Sequence, residues 1–477
     1  LLFIIKKREN KMASSLKAST LRPLRIGMFG GGTVGGGVYE IIMDRLGDGG
    51  VPQQQQSGGG GNNSSSGSNS NNRKTAATVR PCVISKICVR DLSKSRSFHV
   101  HDNCTQLVTD IYSILDDDSI DIVVEVMGGT GLAWTVVQES LKRGKSVITA
   151  NKALIALHLD EIHQTVLASH GKVKFAYEAA VCGGIPIIHT LQTCYSGDII
   201  NEITGICNGT TNYMLGKMEQ GAEYEDVLKE AQDLGFAEAD PTADVEGHDV
   251  QAKIAILAKL AFGTSVPMKT SIPCLGISQL TSVDFEYAKL LGCTIKLVGT
   301  ATRLSEYGEH DGALSVYVAP KVVPNSHLLA SIRGSGNAVA VDSANLGIAS
   351  YTGPGAGRFP TASSVVADIC RVASNTASID PFPLHSNIAL DSDYTSEFYI
   401  RISFSDGLGI IRRIGELSET HGVSINSILQ NPIKDKLMAD FVVTTEECRL
   451  MQIKELCRDI ANEDFVRCDP VFMPMLH

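Results

Sequence analysis

The sequence predicts an α/β protein with a parallel-sheet domain, an α+β domain and a small C-terminal ferredoxin-like (βαββαβ) module. Three observations lead to this prediction. Apolar strands alternate with helices of about 10–15 residues in the first third of the chain, which is typical of a parallel sheet with right-handed crossovers. Longer strands mixed with helices follow from about residue 171. The residues from 396 onward follow the order strand, helix, strand, strand, helix, strand, which indicates a ferredoxin-like sandwich.

Length and composition limit the classes of function. The chain has 477 residues, of which 43% are hydrophobic, so it can form two or three domains with sizeable cores. A formal net charge of −10 argues against a nucleic-acid binder, which usually has a basic surface. No run of about 18 apolar residues is present, so no transmembrane helix is predicted. Twelve cysteines without a CxxC pair indicate reduced thiols in an intracellular, cytoplasmic protein.

Composition also predicts the domain boundaries. Residues 47–78 form a low-complexity Gly/Gln/Ser/Asn segment that is too polar to build a core, so we expect a disordered loop. The acid-free segment after Met12 leaves a plastid transit peptide as an alternative to a disordered N-terminus. The predicted organisation is a disordered N-terminus at 1–23, a nucleotide-binding domain at 24–165, a substrate and dimerisation domain at 166–385, a linker at 386–395 and the C-terminal module at 396–477.

The apolar pattern predicts each element in turn. Short apolar runs bounded by turn residues predict strands, and apolar residues three and four apart predict helices. The predicted strands are 24–29, 81–91, 119–129, 146–152, 199–208, 293–304, 312–323, 397–404, 423–430, 436–445 and 465–473. The predicted helices that frame them are 33–46, 132–144, 408–422 and 447–463.

A glycine motif separates the first predicted strand from the first predicted helix. Gly30, Gly32 and Gly35 fit G-x-G-x-x-G, with Thr33 and Val34 before the last glycine. Such glycines allow a tight turn and let the backbone approach a pyrophosphate at the helix N-terminus. The strand–turn–helix context therefore predicts a Rossmann dinucleotide site made by these five residues. The alternative is a flexible glycine-rich turn.

The end of the second strand bears on the choice of cofactor. An Asp or Glu at this position usually binds the ribose 2′-hydroxyl of NAD. Here Arg90 comes first and Lys94 follows, with Asp91 between them. Two cations would neutralise the 2′-phosphate of NADP, so Arg90 and Lys94 favour NADP(H), while Asp91 leaves NAD open. The alternative is that both cations are ordinary surface residues.

An acid-rich segment, residues 236–253, leads into an apolar helix. Asp244 is predicted to cap this helix. Asp249 and Lys253 are four residues apart on one face, at the border of the apolar stripe, so we expect a partly desolvated lysine that needs its carboxylate neighbour. Such a lysine can donate a proton, although spacing alone favours a surface ion pair. The stripe consists of Val250, Ile254, Leu257 and Ala261.

Several segments resemble the homoserine dehydrogenase family. The acid-rich segment resembles the family signature from Gly235 to Lys253. The resemblance implies a nicotinamide-dependent enzyme that reduces aspartate 4-semialdehyde to homoserine, in the biosynthesis of threonine, methionine and isoleucine. Five further blocks resemble the family in the same order: 30–38 (GGGTVGGGV), 149–156 (TANKALIA), 177–188 (YEAAVCGGIPII), 205–215 (GICNGTTNYML) and 353–369 (GPGAGRFPTASSVVADI).

The resemblance implies roles for the reacting residues. Lys253 would protonate or polarise the carbonyl oxygen as hydride arrives, and Lys152 would be a second lysine near the carbonyl and the nicotinamide. Asp249 would hold Lys253 and help to bind the substrate. Gly357 would contact the cofactor. A positioned cation or acid suits this chemistry because hydride addition creates an alkoxide.

The resemblance also implies a binding site for the amino-acid part of the substrate. Glu238 would take the α-ammonium group, with Asp244 as a further acidic neighbour. The substrate carboxylate needs hydrogen-bond donors. Asn208, Gly209 and Thr210, in a loop before a helix, could provide some of them.

A glycine-containing turn after a strand resembles the family's site for a monovalent cation. The implied ligands are Glu178 and the carbonyl groups near Val181, Gly183 and Ile185. Hard oxygen ligands suit sodium or potassium, and the role of the ion would be structural. The alternative is a tight turn without a metal.

The C-terminal module resembles an ACT domain, a small regulatory module that binds amino acids between copies. This implies feedback inhibition by threonine, in a homodimer or homotetramer. Leu408 departs from the pattern, since a proline is usual there. The alternative is a purely structural dimerisation module.

Two other functions stay open at the level of the sequence. One is a Rossmann dehydrogenase for a different amino-acid aldehyde. The other is a catalytically inactive amino-acid sensor, against which the joint presence of Lys152, Glu238, Asp249 and Lys253 argues.

Overall fold

The structure, a computed structural model, describes residues 22–45, 80–304 and 312–476. Nearly all of the N-terminal segment 1–23 and the whole segment 47–78, both predicted to be disordered, lie outside the described residues. The described residues form two compact units. The first contains the chain up to Thr149 together with Thr165–Ala176 and Val365–Ile379, and the second contains Ala150–Gln164, Tyr177–Ser364 and the chain from Asp380 onward.

The first unit is built on a six-stranded parallel sheet with the strand order β3-β2-β1-β4-β5-β6. The parallel sheet that the sequence predicts is confirmed, and two short strands, β3 and β6, are added to it. Strand β1 pairs with both β2 and β4. The strand order therefore reverses between β1 and β4, and the carboxyl ends of these two strands flank that point. The elements are β1 (Leu24–Phe29), α1 (Thr33–Arg45), β2 (Cys82–Cys88), β3 (Gln106–Val108), α2 (Tyr112–Leu115), β4 (Ile122–Glu125), α3 (Gly131–Lys142), β5 (Ser146–Thr149), the end of α4 (Lys152–Ala168) and β6 (Phe175–Ala176).

The second unit contains a five-stranded antiparallel sheet with the order β11-β10-β7-β8-β9. The long strands that the sequence predicts here are confirmed, and the two longest, Cys293–Leu304 and Ala313–Pro324, are buried along most of their length. The elements after β6 are α5 (Ile187–Thr193), β7 (Ile200–Ile206), α6 (Gly209–Met218), α7 (Tyr224–Asp233), α8 (Thr242–Val245), α9 (His248–Phe262), α10 (Met268–Ser271), α11 (Ser282–Leu290), β8 (Cys293–Leu304), β9 (Ala313–Pro324), β10 (Gly336–Ser343), β11 (Gly347–Pro354) and α12 (Arg358–Ala373).

Helix α9 packs on one half of this sheet, against β7, β8 and β9. The predicted apolar stripe is buried, and so is almost every other residue after the first turn. The approach is close: a Cβ added to Gly299 in β8 would lie 2.9 Å from Cγ1 of Val250. Burial therefore extends around the helix, and Lys253 is buried more deeply than a position at the border of the stripe predicts.

The prediction that Asp244 caps α9 is wrong. Asp244 lies inside the short helix α8, and Gly247, with a left-handed φ of 80°, occupies the N-cap of α9. A glycine fits this position because the turn between the two helices needs a positive φ. The Asp244 carboxylate instead accepts a hydrogen bond from the Asn208 side chain.

The C-terminal part of the second unit has the predicted βαββαβ order, and its sheet has the antiparallel order β14-β15-β13-β17. The last strand begins later than the predicted range of 465–473. The elements are β12 (Thr395–Ser396), β13 (Phe398–Phe404), α13 (Ile410–Thr420), β14 (Ile425–Gln430), β15 (Ala439–Thr445), β16 (Cys448–Arg449), α14 (Leu450–Ala461) and β17 (Val471–Pro474).

Buried contacts join this module to the rest of the second unit. Arg401 of β13 donates from Nε to Oδ1 of Asp284 in α11 at 2.8 Å, and the Tyr399 hydroxyl donates to the same oxygen at 3.0 Å. The segment predicted as a linker, 386–395, is exposed or half-buried for most of its length, but its Tyr394 is buried and stacks on Tyr317 of β9 with ring centroids 3.6 Å apart. The module is therefore a continuation of the second unit.

Within the described part of the chain, no helix combines the length and the apolar character that are needed to cross a membrane.

Candidate active site

The glycine motif forms the turn between β1 and α1. Gly30 has a φ of 113°, and its N–H donates to the Cys88 carbonyl at 3.1 Å. A Cβ on Gly35 would lie 2.1 Å from the Gly30 carbonyl oxygen, so this pair requires glycine for close packing. A Cβ on Gly32 would meet no atom within 4 Å. The turn thus keeps open space beside the start of α1, at Thr33, which fits a dinucleotide pyrophosphate.

The loop after β2 carries the residues predicted to select the cofactor. Arg90 and Lys94 are both exposed. The Asp91 carboxylate accepts from the N–H and the hydroxyl of Ser93 at 2.8 and 2.7 Å, so it is turned toward its own loop. Arg96 was not predicted as a site residue, although it is a third cation in the same run.

Arg96 organises this loop. Its guanidinium donates to the carbonyl groups of Asp91 and Lys94 at 2.7 and 2.9 Å. Its Nε would lie 3.4 Å from a Cβ on Gly31, so the side chain lies against the glycine turn. Arg96 therefore fixes the loop that presents Arg90 and Lys94 beside the glycine motif.

Glu125, at the end of β4, is a second residue that was not predicted, and it is fully buried. Its Oε1 accepts from the Met127 N–H at 2.8 Å, and its Oε2 accepts from the Thr149 hydroxyl at 2.6 Å. Glu125 thereby joins the ends of β4 and β5. A carboxylate at the end of an otherwise apolar strand was the available signal, since such a buried charge needs partners.

The predicted catalytic residues meet at one carboxylate in the second unit. Lys152 is the first residue of α4, and its Nζ lies 2.8 Å from Oδ1 of Asp249. The Nζ of Lys253 lies 2.7 Å from Oδ2 of the same carboxylate and donates to the Cys207 carbonyl at 2.5 Å. The Lys253 and Asp249 side chains are each only 10% exposed, whereas Lys152 is 37% exposed. Two ammonium groups, one buried and one half-open, are thus held side by side.

Burial and charge shift the pKa values of this group in opposite directions. Burial alone would raise the pKa of Asp249, but the charges of Lys253 and Lys152 outweigh it and hold that pKa well below its usual range. Burial would likewise lower the pKa of Lys253, and the Asp249 charge outweighs it, so that pKa is raised. Lys253 is therefore an ammonium at neutral pH, and Asp249 is a carboxylate.

Asn208 orders the acids around the two lysines. It is the N-cap of α6, where its Oδ1 accepts from the Thr211 N–H at 2.8 Å. Its Nδ2 donates to Oδ1 of Asp244 at 2.7 Å and to Oδ2 of Asp249 at 2.9 Å. Burial raises the pKa of Asp244. Both N–H groups of the Asn208 amide are therefore committed to carboxylates.

The other predicted substrate-binding residues are less closely grouped. The Thr210 hydroxyl donates to the Phe236 carbonyl at 2.8 Å, so it is used inside the protein. A Cβ on Gly209 would lie 2.8 Å from the Ser335 carbonyl oxygen, which explains the glycine by packing. Glu238 is exposed.

The turn that resembles a cation site is buried and rich in oxygen atoms. The Glu178 carboxylate accepts from the N–H groups of Ile188 and His189, at the start of α5, at 2.8 and 3.0 Å. The Gly183 carbonyl accepts from the Ser364 hydroxyl at 2.6 Å, and the Ile185 carbonyl accepts from the Ile187 N–H at 2.8 Å. The turn, with the Val181 carbonyl, thus contains the carboxylate and carbonyl oxygens that the resemblance implies as ligands.

Gly357 precedes α12 with a φ of 122° and is exposed. Its conformation is one that L side chains rarely adopt, which explains the glycine at this position.

The parallel sheet with its glycine turn, and the second unit with its lysine–aspartate–lysine group, define a nicotinamide-dependent oxidoreductase. Comparison with known proteins agrees. A family model described as "Homoserine dehydrogenase, NAD binding domain" matches residues 30–178, and one described as "Homoserine dehydrogenase" matches residues 186–370.

Similar proteins extend over almost the whole chain. The homoserine dehydrogenase of Bacillus subtilis is 36% identical over 94% of this chain and 97% of its own length. That of Synechocystis is 35% identical over 95% of this chain and 99% of its own length. The crystal structure of a homoserine dehydrogenase from Thiobacillus denitrificans is similar with a TM-score of 0.80 and 32% identity, over 95% of this chain and 98% of that one. The chain belongs to the homoserine dehydrogenase family.

Proposed function

We propose that this homoserine dehydrogenase reduces the aldehyde of aspartate 4-semialdehyde to homoserine, reversibly and with NADPH as its preferred hydride donor. The observation that carries the proposal is the Asp249 carboxylate, which holds Lys152 on one oxygen and Lys253 on the other. The Lys253 ammonium is held in a fixed position by this carboxylate and by the Cys207 carbonyl. In a chain of this family, this supports a role for Lys253 in protonating the carbonyl oxygen of the substrate.

The bonding of Lys253 leaves it one donor for the substrate. An ammonium has three N–H groups. Two of them go to the Cys207 carbonyl and the Asp249 carboxylate, so the third can donate to the aldehyde oxygen. The nicotinamide supplies the hydride to the aldehyde carbon. The Lys253 ammonium then gives its proton to the alkoxide, which is a far stronger base than an amine, and the product is an alcohol.

Lys152 and Asp249 support this transfer. Lys152 keeps a second positive charge next to the site where negative charge develops, which lowers the energy of the alkoxide. Asp249 keeps both ammonium groups in place, and Asn208 keeps Asp249 in place. We assign Asp249 and Asn208 as positioning residues for the lysines.

The substrate's own ammonium group requires carboxylates. Glu238 is exposed and able to bind it, and Asp244 adds a negative charge beside Asn208. The cofactor's 2′-phosphate would be met by Arg90 and Lys94, in the loop that Arg96 organises. Gly357, with its positive φ, would add a backbone contact to the cofactor.

The C-terminal module would serve as an amino-acid-binding regulatory domain of the ACT type, with threonine as the effector and a homodimer or homotetramer as the assembly. The ferredoxin-like topology supports this assignment. The buried contact between Arg401 and Asp284 joins the module directly to α11.

The cation at the Glu178 turn would be structural, so replacing sodium and potassium by tetramethylammonium should lower the melting temperature.

The decisive experiment measures NADPH oxidation by the purified chain with aspartate 4-semialdehyde, and the reverse reaction with homoserine. We expect turnover in both directions, a higher kcat/KM with NADP(H) than with NAD(H), and inhibition by threonine. Turnover with other amino-acid aldehydes but not with aspartate 4-semialdehyde would reject the substrate. Equal kcat/KM for both cofactors would reject the assignment of Arg90 and Lys94, and insensitivity to threonine would reject the effector.

A further inference from the structure

Three side chains that commonly bind metal ions lie together in the second unit, and none of them belongs to the active site. His163 is in α4, beyond the interruption of that helix at His158. Asp380 and His385 lie in the segment between α12 and β12. The Nε2 of His163 is 2.8 Å from Oδ1 of Asp380, and the Nε2 of His385 is 3.3 Å from Oδ2. One ligand atom from each of the three residues lies within 4.8 Å of those of the other two.

Packing fixes two of the three ligands. His163 is buried, and its ring meets the ring of Phe382 edge to face with centroids 5.5 Å apart. Oδ1 of Asp380 accepts from the Phe382 N–H at 2.8 Å, which sets the orientation of the carboxylate. The His385 side chain is 58% exposed, and its ring is parallel to that of His163 at 5.1 Å. The group thus has a fixed side and an open side.

We propose that His163, Asp380 and His385 bind a divalent transition-metal ion of the zinc type. Two imidazole nitrogens and one carboxylate oxygen form a donor set that suits Zn²⁺, with water in a fourth position. Ligand atoms around a tetrahedral Zn²⁺ lie about 2.0–2.1 Å from the metal. Asp380 already brings one oxygen toward each imidazole. The exposed His385 ring is able to turn toward a shared metal while the packed His163 stays in place.

The bound metal would connect α4 to the segment after α12. A metal that binds only the folded state stabilises it by RT ln(1 + [M]/Kd), so the stabilisation grows with the logarithm of the metal concentration above Kd. The site takes no part in the hydride transfer proposed above, so its presence or absence leaves that proposal intact.

The test uses the full chain, freed of any affinity tag and dialysed against a chelator. Co²⁺ is added as a spectroscopic probe and Zn²⁺ as a competitor. We expect one equivalent of Co²⁺ to give the visible absorption of a four-coordinate His/carboxylate site, Zn²⁺ to displace it, and Zn²⁺ to raise the melting temperature.

Variants separate this site from other histidines. His385→Gln removes an exposed ligand with little risk to folding, and it should weaken Co²⁺ binding by at least about tenfold, as the loss of even an outer-shell partner can do. Asp380→Asn should do the same. His158→Gln is the matched control, since it removes a histidine of the same helix that pairs with Glu161. Binding that is absent in the wild type, or that survives His385→Gln as well as His158→Gln, would overturn the proposal.

Discussion

Lys152 and Lys253 approach opposite oxygens of one carboxylate, at 2.8 and 2.7 Å, although they belong to different helices. Asp249 thereby holds two positive charges that would otherwise repel each other. Burying charged groups costs free energy unless they compensate one another closely, as the carboxylate and the two ammonium groups do here. The most direct predictions concern these three residues.

Lys253→Met should lower kcat for aspartate 4-semialdehyde reduction by about 100- to 10,000-fold, the usual contribution of a general acid. The physical reason is the loss of the only N–H that the bonding of Lys253 leaves for the carbonyl oxygen. Steady-state NADPH oxidation measures the effect. Lys259→Met is the control: this lysine of the same helix donates to the Gly263 carbonyl, and its loss should leave kcat nearly unchanged. Equal effects of the two substitutions would contradict the assigned role.

Asp249→Asn should lower the free energy of unfolding by about 3 kcal/mol, since it leaves the buried Lys253 ammonium without its carboxylate. Urea unfolding measures the change. The double variant Asp249→Asn/Lys253→Met should lose less than the sum of the two single changes, because the second substitution removes the uncompensated charge. Strict additivity would show that the two residues are not coupled.

Acid should remove the contribution of Asp249. Its folded-state pKa lies below the value of about 3.9 that an unfolded chain has. The stability that it contributes is thus present above about pH 4 and is lost as pH falls through the folded-state pKa. The difference in unfolding free energy between wild type and Asp249→Asn should be constant from about pH 6 to 8 and shrink below about pH 4. A difference that grew in acid would reverse the sign of the pKa shift.

Gly35→Ala should destabilise the cofactor-free protein by about 2 kcal/mol or more, because overpacking against a fixed backbone atom is costly. Its Cβ would lie 2.1 Å from the Gly30 carbonyl oxygen. Thermal unfolding without cofactor measures this loss.

Gly32→Ala should leave that melting temperature unchanged, since its Cβ would meet open space, but should raise KM for NADPH by about tenfold, or about 1.4 kcal/mol. An unchanged KM would place the pyrophosphate elsewhere.

Arg401→Met should destabilise the protein by about 3 kcal/mol, because it leaves the buried Asp284 carboxylate without its ion pair. It should also weaken any response to threonine, since this pair connects the module to α11. Chemical unfolding and threonine titration measure the two effects. Arg413→Met, which removes an exposed pair with Glu463, should have a much smaller effect on stability. Loss of stability in both variants to the same extent would contradict the role of burial.

Much of the fold follows from local patterns in the sequence. The parallel sheet, the glycine turn, the long antiparallel strands and the ferredoxin-like order each depend on periodicity that a window of residues contains. The short strands β3 and β6 were missed because two or three residues carry no period. The capping role of Asp244 was mispredicted because a glycine turn separates α8 from α9, and spacing alone does not show that turn.

The sequence by itself determined the family, the glycine motif and the pairing of Asp249 with Lys253, because these depend on residue types at short fixed spacings. Only the tertiary structure decided that Lys152 shares the Asp249 carboxylate and that Asn208 bridges it to Asp244. It also decided how deeply Lys253 is buried. The physical reason is that these contacts join different helices and loops, whose meeting depends on how the antiparallel sheet and its helices pack. A local pattern does not contain that information.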